Sequence, residues 1–169
     1  EFMLQQTQVK TVIPYFNNFI KKIPNLRALS KAKEESVLKL WEGLGYYRRA
    51  RNLWSTIKIL NTLYGSEIPK QKKLLLSLPG IGVYTASAIR ALGYNLPDSP
   101  VDINIQRVFS GLYGSELSHK QIEIILKFIW PKNHSRDFTE ALMDLSSAIK
   151  KNNDLIINGL DLKKYLFSK

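Results

Sequence analysis

Leu78-Pro79-Gly80-Ile81-Gly82 closes one apolar segment, Val83-Tyr84-Thr85-Ala86-Ser87-Ala88-Ile89 opens another, and a lone acid follows in Val101-Asp102-Ile103-Asn104. A proline and two glycines spaced by one apolar residue read as a tight turn between two helices, 72–78 and 82–92. With no Cβ at Gly80 and Gly82, a second backbone or a phosphate can come close to the turn. The turn also lies where a helix begins, so free N–H groups and the positive end of the helix dipole favour an anion there. Taken alone, the pattern is equally that of an ordinary αα-hairpin. Asp102 likewise has two readings, the N-cap of the next helix or a carboxylate with a chemical task.

The charge balance says which anion to expect. Among 169 residues, 25 Lys and Arg stand against 14 Asp and Glu, a formal net charge of +11. Such an excess points to a polyanion, and to a DNA phosphate at the Gly80–Gly82 turn. A membrane surface is the rival partner, but no stretch approaches about 18 uninterrupted apolar residues, and no signal or transit segment is visible. A hydrophobic fraction of 44% with 23% charged residues describes a folded globule. A chain of this length buries roughly 68–70% of its unfolded surface. The sequence has no cysteine, which excludes disulfides, thiolate zinc sites and cysteine-ligated iron–sulfur clusters. The two histidines, His119 and His134, are too far apart in sequence to suggest a metal pair. The chain starts at Glu1 inside an apparent helix, so a preceding segment is expected to be missing.

Outward from the hairpin, the periodicity is helical throughout. A stripe through Leu4, Val9, Val12, Ile13, Phe16, Phe19 and Ile20 predicts a helix from about Met3 to Lys22, bent at Pro14. A short helix through Leu26 to Leu29 follows. Ser30 then reads as the N-cap of a helix whose face is Val37, Leu38, Leu40 and Trp41. Arg48 to Tyr64 forms a longer helix carrying Leu53, Trp54, Ile57, Leu60 and Leu63. Beyond the hairpin an irregular stretch from Gly93 to Pro100 leads into helices at Ile103–Tyr113, Ser118–Trp130 and Ser135–Lys150. There is no strand alternation and no internal repeat, so the fold class is all-α.

Two further motifs carry chemistry. Glu1-Phe2-Met3-Leu4-Gln5-Gln6-Thr7-Gln8-Val9 sets a carboxylate beside amides and a hydroxyl. Gly43-Leu44-Gly45-Tyr46-Tyr47-Arg48-Arg49-Ala50-Arg51 sets aromatics on a glycine turn beside three arginines. An aromatic on a turn flanked by guanidinium groups suits entry into a base stack with phosphates clamped alongside. The plainer readings are a core tyrosine, a solvated arginine face and a frayed terminus at Glu1.

Together, Glu1–Phe16, Gly43–Leu53, Leu78–Ile89 and Asp102–Val108 resemble the adenine-specific mismatch glycosylases of the MutY type, in the helix-hairpin-helix superfamily that includes endonuclease III. The resemblance covers nearly all of residues 1–149, the expected catalytic region, centred on the hairpin at 72–92; residues 150–169 form a divergent tail. It implies a helix-hairpin-helix glycosylase fold and a monomer acting on duplex DNA with a mismatched or oxidised base pair. It also implies a bacterial cytoplasmic or a nuclear location. The reaction implied is excision of adenine mispaired with 8-oxoguanine or guanine, after the base is flipped from the stack. Carried over by position, Glu1 is the general acid that protonates the leaving adenine, and Asp102 stabilises the oxocarbenium-like sugar. Asn104 and Tyr84 line the sugar site, and Glu140 reads the adenine edge. Gln6 and Tyr46 enter the stack, with Thr7 and Leu44 beside the opposite base. The amides of Gly80, Ile81 and Gly82 bind phosphate with a monovalent cation in support, and Arg48 adds a phosphate contact. Bifunctional relatives carry lysine where Tyr84 stands, so a tyrosine implies a monofunctional enzyme.

The sequence departs from that family in several places. Ile103 replaces the glycine that usually follows the aspartate, which reduces backbone freedom. Members usually carry four cysteines for a [4Fe–4S] cluster beginning where Lys150 stands, and this chain has none. The segment that precedes Glu1 in the family and its C-terminal NUDIX-like domain are expected to be missing as well. Two other functions stay open: a thymine glycosylase acting on thymine–guanine mismatches, and a helix-hairpin-helix module that binds DNA without chemistry.

Overall fold

The computed structural model describes residues 1–152 and the strand residues 156–157 and 160–161. Its helices are α1 (Val9–Lys22), α2 (Leu26–Lys31), α3 (Glu34–Leu40), α4 (Arg48–Tyr64), α5 (Lys72–Leu76), α6 (Val83–Ala88), a π-helical turn (Ile89–Gly93), α7 (Ile103–Tyr113), α8 (His119–Ile129) and α9 (Ser135–Asn152). The fold is helical as expected. The one addition is a two-residue antiparallel pair, β1 (Ile156–Ile157) with β2 (Leu160–Asp161), in register Ile156 to Asp161. The rest of the 150–169 tail, beyond the end of α9, lies outside the described residues. The chain forms two compact units, Glu1–Gly82 and Val83–Lys169.

In the first unit α4 is the central element. Of the five apolar residues that the helix carries, Ile57 and Leu60 are buried, Leu53 and Trp54 half-buried, and Leu63 is exposed. Leu63 lies in the last turn of α4, where no neighbouring element covers it. α2 is fastened to α4 by polar ends of long side chains: Trp54 Nε1 donates to Ala32 O (3.0 Å) and Lys58 Nζ to Ser30 O (2.6 Å). Ser30 is not an N-cap. It sits inside α2, its hydroxyl donating back to Arg27 O (2.9 Å), and α3 starts four residues later with no side-chain cap at Lys33. Asn25 is the capping residue that the sequence reading passed over; its carbonyl oxygen accepts from Ala28 N at 2.8 Å.

The first helix also starts later than expected. Residues 1–7 form a turn in which Leu4 N and Gln5 N donate to Glu1 O, and Gln6 adopts φ 57°, which breaks helical continuity before Val9. α1 then runs through Pro14. Only Val12 and Phe19 of its apolar stripe are buried; Val9, Ile13, Phe16 and Ile20 are exposed beside an apolar groove of about 580 Å³.

The second unit is built around α7, which packs on α8 and α9. Ile105, Val108, Phe109 and Leu112 of α7 join Ile122 and Leu126 of α8 and Leu142 of α9 in one core. Trp130 closes its end edge-on to Phe138 at 5.0 Å while donating through Nε1 to Ser135 Oγ (2.9 Å). The helix predicted at 82–92 splits into α6 and the π-turn. Arg136 of α9 donates to the Leu92 carbonyl (2.6 Å), and Arg90 pairs with Asp98 at 2.8 Å across the following loop.

Candidate active site

Three of the sequence-predicted features come together in the first unit. The glycine turn before α4 runs through left-handed backbone at Gly43 (φ 90°), Gly45 (φ 75°) and Tyr46 (φ 48°). The turn of residues 1–7 places Gln6, also left-handed at φ 57°, against it. Between them lies Arg49. Its Nη1 donates to Met3 O (2.7 Å), to Gln5 O and to Thr7 Oγ1 (2.9 Å), and its Nη2 to Leu44 O (3.3 Å) and Gly45 O (3.2 Å). The guanidinium lies over the rings of Trp41 (5.5 Å) and Tyr46 (5.3 Å). Burial lowers the Arg49 pKa from its ordinary value, with interaction with Tyr46 working in the opposite direction. Gln5, Gln6, Tyr46, Tyr47, Arg48 and Arg51 line an open groove of about 870 Å³.

Of the three arginines, Arg48 and Arg51 are exposed and Arg49 is buried. The sequence sets all three beside the glycine turn and the resemblance names Arg48 alone as a phosphate contact, which its exposure suits. Arg51 also meets Glu34 at 3.4 Å. Tyr46 stands 62% exposed, whereas Leu44 is buried under the turn with its amide on Trp41 O. Thr7 is half-buried against Arg49, and the Glu1 side chain is exposed. Arg49 is the residue the sequence reading missed; one signal could have found it, its position one residue past the first turn position of an aromatic-flanked helix.

The 78–82 turn belongs to the same unit. Ile81 is buried with its amide donating to Leu78 O at 3.2 Å. Gly80 O accepts from Gln5 Nε2 (3.1 Å), and Pro79 O accepts from Thr56 Oγ1 (2.8 Å). The two glycines differ sharply. Gly80 has φ 76°, and a Cβ there would meet Asn52 Cβ and Nδ2 at 2.7 Å and Phe2 Cε1 at 2.9 Å. Gly82 has an ordinary φ, and nothing stands within 4 Å of its missing Cβ. Gly80→Ala is therefore expected to destabilise the fold by roughly 2–3 kcal/mol, from left-handed strain and overpacking. Gly82→Ala is expected to change stability by no more than about 0.5 kcal/mol. Thermal or denaturant unfolding of the two variants checks the contrast.

In the second unit Asp102 is the N-cap of α7. Its Oδ1 accepts from Asn104 N (2.9 Å) and Ile105 N (3.0 Å), and its Oδ2 accepts from Asn104 Nδ2 (2.7 Å). Asn104 is held in turn by Arg107 Nη1 (3.2 Å), which also donates to the buried Ser146 hydroxyl at 2.8 Å. Three donors and a braced asparagine thus fix the orientation of a half-buried carboxylate. Ile103, the first residue of α7, is 63% exposed. Tyr84 is half-buried on α6 and Glu140 is exposed on α9. Glu1 lies in the first unit, and Asp102, Tyr84, Asn104 and Glu140 in the second. Among the described residues no group of three or more His, Cys, Asp or Glu side chains could hold a metal ion. With no cysteine in the chain, the thiolates that a [4Fe–4S] cluster takes from family members have no counterpart here. No helix among the described residues is long and apolar enough to cross a membrane.

Helices joined by a glycine hairpin, with an aspartate capping a later helix, define the helix-hairpin-helix class. Residues 1–132 match the model of the HhH-GPD superfamily base excision DNA repair proteins, and the chain belongs to that family. It is 45% identical over 153 residues to an adenine DNA glycosylase of Buchnera aphidicola subsp. Baizongia pistaciae, covering 88% of this chain and 44% of that protein. It is 38% identical to the adenine DNA glycosylase of Buchnera aphidicola subsp. Schizaphis graminum, covering 88% and 45%. Among solved structures, a thermostable thymine-DNA glycosylase is similar with a TM-score of 0.77 at 26% identity, covering 86% of this chain and 70% of that one. The chain spans less than half the length of these two curated relatives.

Proposed function

We propose that this chain is the catalytic region, residues 1–149, of a monofunctional adenine DNA glycosylase that hydrolyses the N-glycosidic bond of adenine mispaired with 8-oxoguanine or guanine. The observation that carries the reading is its 45% identity, over 88% of the chain, to a curated adenine DNA glycosylase. The capped and braced Asp102 carboxylate supports it.

The bond to be broken is inaccessible inside the stack, so the adenine must first turn out of the duplex. Gln6 and Tyr46 then occupy the space it leaves, Thr7 meets the opposite base, Leu44, buried under the turn, supports Tyr46 from below instead of meeting that base as expected, and Glu140 reads the adenine edge. Glu1 protonates the departing base. As positive charge develops on the sugar, the fixed Asp102 carboxylate stabilises it, and its three donors hold it in place without reorganisation at that moment. Asn104 and Tyr84 line the sugar, and water completes the hydrolysis. The amides of Gly80 and Gly82, with Arg48, take the phosphates; the Ile81 amide, expected to join them, is spent on Leu78 O. The carbonyl oxygens of the turn are donors of the type that a monovalent cation accepts. The enzyme acts as a monomer on duplex DNA, in the bacterial cytoplasm or the nucleus.

A second reading, a thymine glycosylase acting on thymine–guanine mismatches, is favoured by the structural likeness to the thymine-DNA glycosylase. Single-turnover assays on duplexes with adenine opposite 8-oxoguanine, adenine opposite guanine and thymine opposite guanine separate the two. Excision confined to the adenine substrates supports the first reading; excision of thymine replaces it with the second. Binding without release of any base would reduce the protein to a DNA-binding module.

Association with undamaged duplex is expected to be weak, indifferent to sequence and driven by counterion release. Each phosphate neutralised should add a slope of about −0.9 to log K against log salt. Arg48→Ala should make that slope shallower by about one contact. Titrations across a range of salt concentrations give the slope, and an affinity independent of salt would exclude an electrostatic interface.

A further inference from the structure

We propose that Arg49 is a positioning residue for base extrusion: one buried guanidinium between two turns holds Gln6 and Tyr46 in left-handed backbone conformations on the edge of a common groove. The inference deepens the glycosylase reading and rests on its view of that groove as the place where a base leaves the stack.

Three observations carry it. Arg49 is 6% exposed, unlike its neighbours Arg48 and Arg51, and although it lines the groove with them its Nη atoms are spent on protein oxygens. Its partners bracket the two residues in question. Gln5 O and Thr7 Oγ1 flank Gln6, while Leu44 O and Gly45 O immediately precede Tyr46, whose ring also lies against the guanidinium. Finally, Gln6 and Tyr46 have φ values of 57° and 48°, a region that residues with a Cβ avoid unless their surroundings impose it. The planar fork of arginine suits this task because its two Nη atoms, held in fixed geometry, serve the two turns at once, Nη1 the turn of residues 1–7 and Nη2 the glycine turn; the compact ammonium of lysine cannot. The effect is preorganisation. Two side chains that would otherwise be ordered during extrusion are held in place beforehand, which lowers the cost of inserting them.

The test uses full-length protein and a duplex with 2-aminopurine in place of the mispaired adenine, its fluorescence reporting unstacking. For Arg49→Lys, extrusion and single-turnover excision are expected to fall by about tenfold or more, while affinity for undamaged duplex stays within about twofold. Extrusion equal to that of the unmodified protein would overturn the proposal. So would a parallel loss of affinity, extrusion and thermal stability, which would make Arg49 a folding element only. If Arg49→Lys does not fold, Thr7→Val removes one partner of the fork and Thr7→Ser keeps its hydroxyl. The valine variant should extrude about threefold less than the serine variant, and equal behaviour of the two would count against the proposal. If the unmodified protein unstacks the base without excising adenine, and Arg49→Lys lowers that unstacking, the glycosylase reading fails and the positioning role stands.

Discussion

Asp102→Asn is expected to slow single-turnover excision by about a thousandfold or more while leaving DNA affinity unchanged or higher. The variant removes the charge and keeps the helix cap, losing besides only the bond that Asp102 Oδ2 accepts from Asn104 Nδ2. Asparagine is as good an N-cap as aspartate, so its side-chain oxygen can keep the bonds from Asn104 N and Ile105 N that start α7. What is lost besides is the negative charge that the proposed mechanism sets against the sugar, which counts most as the oxocarbenium character develops, so the penalty falls on the chemical step. Removing a negative charge near phosphates favours the ground-state complex. Rapid-quench excision measured beside equilibrium binding checks both halves. Excision at close to the parental rate would remove Asp102 from the mechanism.

Under the proposed function, Tyr84→Lys is expected to turn a hydrolase that leaves an intact strand into one that nicks it. A phenol cannot form an imine, because imine formation needs a nitrogen that can lose two protons. The unmodified protein should therefore release adenine and leave an abasic site with little strand cleavage. Tyr84 is half-buried on α6, and burial favours the neutral amine of a lysine placed there. Attack of that amine on the abasic aldehyde releases water and gives a Schiff base, which permits β-elimination. Borohydride should trap the variant on DNA, and denaturing gels should show the nick. Efficient trapping of the unmodified protein would contradict a monofunctional enzyme and point to one of the lysines already present.

The helices that the sequence predicted within a residue are those with a local signal at each end. α4 lies between the Gly45–Tyr47 turn and Gly65, which closes it in left-handed conformation. α7 begins at the Asp102 cap and ends at Gly114, again left-handed. Errors arose where a local signal has two uses. Ser30 precedes an acidic pair as an N-cap would, yet its hydroxyl is spent on Arg27 inside α2. The apolar residues of the first segment continue a helical period into 1–7, but the turn at Gln6 is set by contacts with Arg49, more than forty residues away in sequence. The same distance explains why Arg49 was not singled out. In Arg48-Arg49-Ala50-Arg51 the three guanidinium groups look alike; only helix phase and the fold decide which one turns inward. The π-turn at Ile89–Gly93 has no signature in its residues; it accompanies the grip of Arg136 on Leu92 O.

That Asp102 begins α7 as well as facing the proposed chemistry bears on inheritance. An acid kept for reaction alone is a burden on stability and drifts once the reaction ceases to matter. This one is retained twice over, because losing its side-chain oxygens also costs a helix its first turn. Glu1 has no such second employment: it sits exposed, and its backbone carbonyl, not its carboxylate, secures the opening turn. In a lineage that no longer needed excision, substitution would reach the residue at position 1 long before the one at position 102.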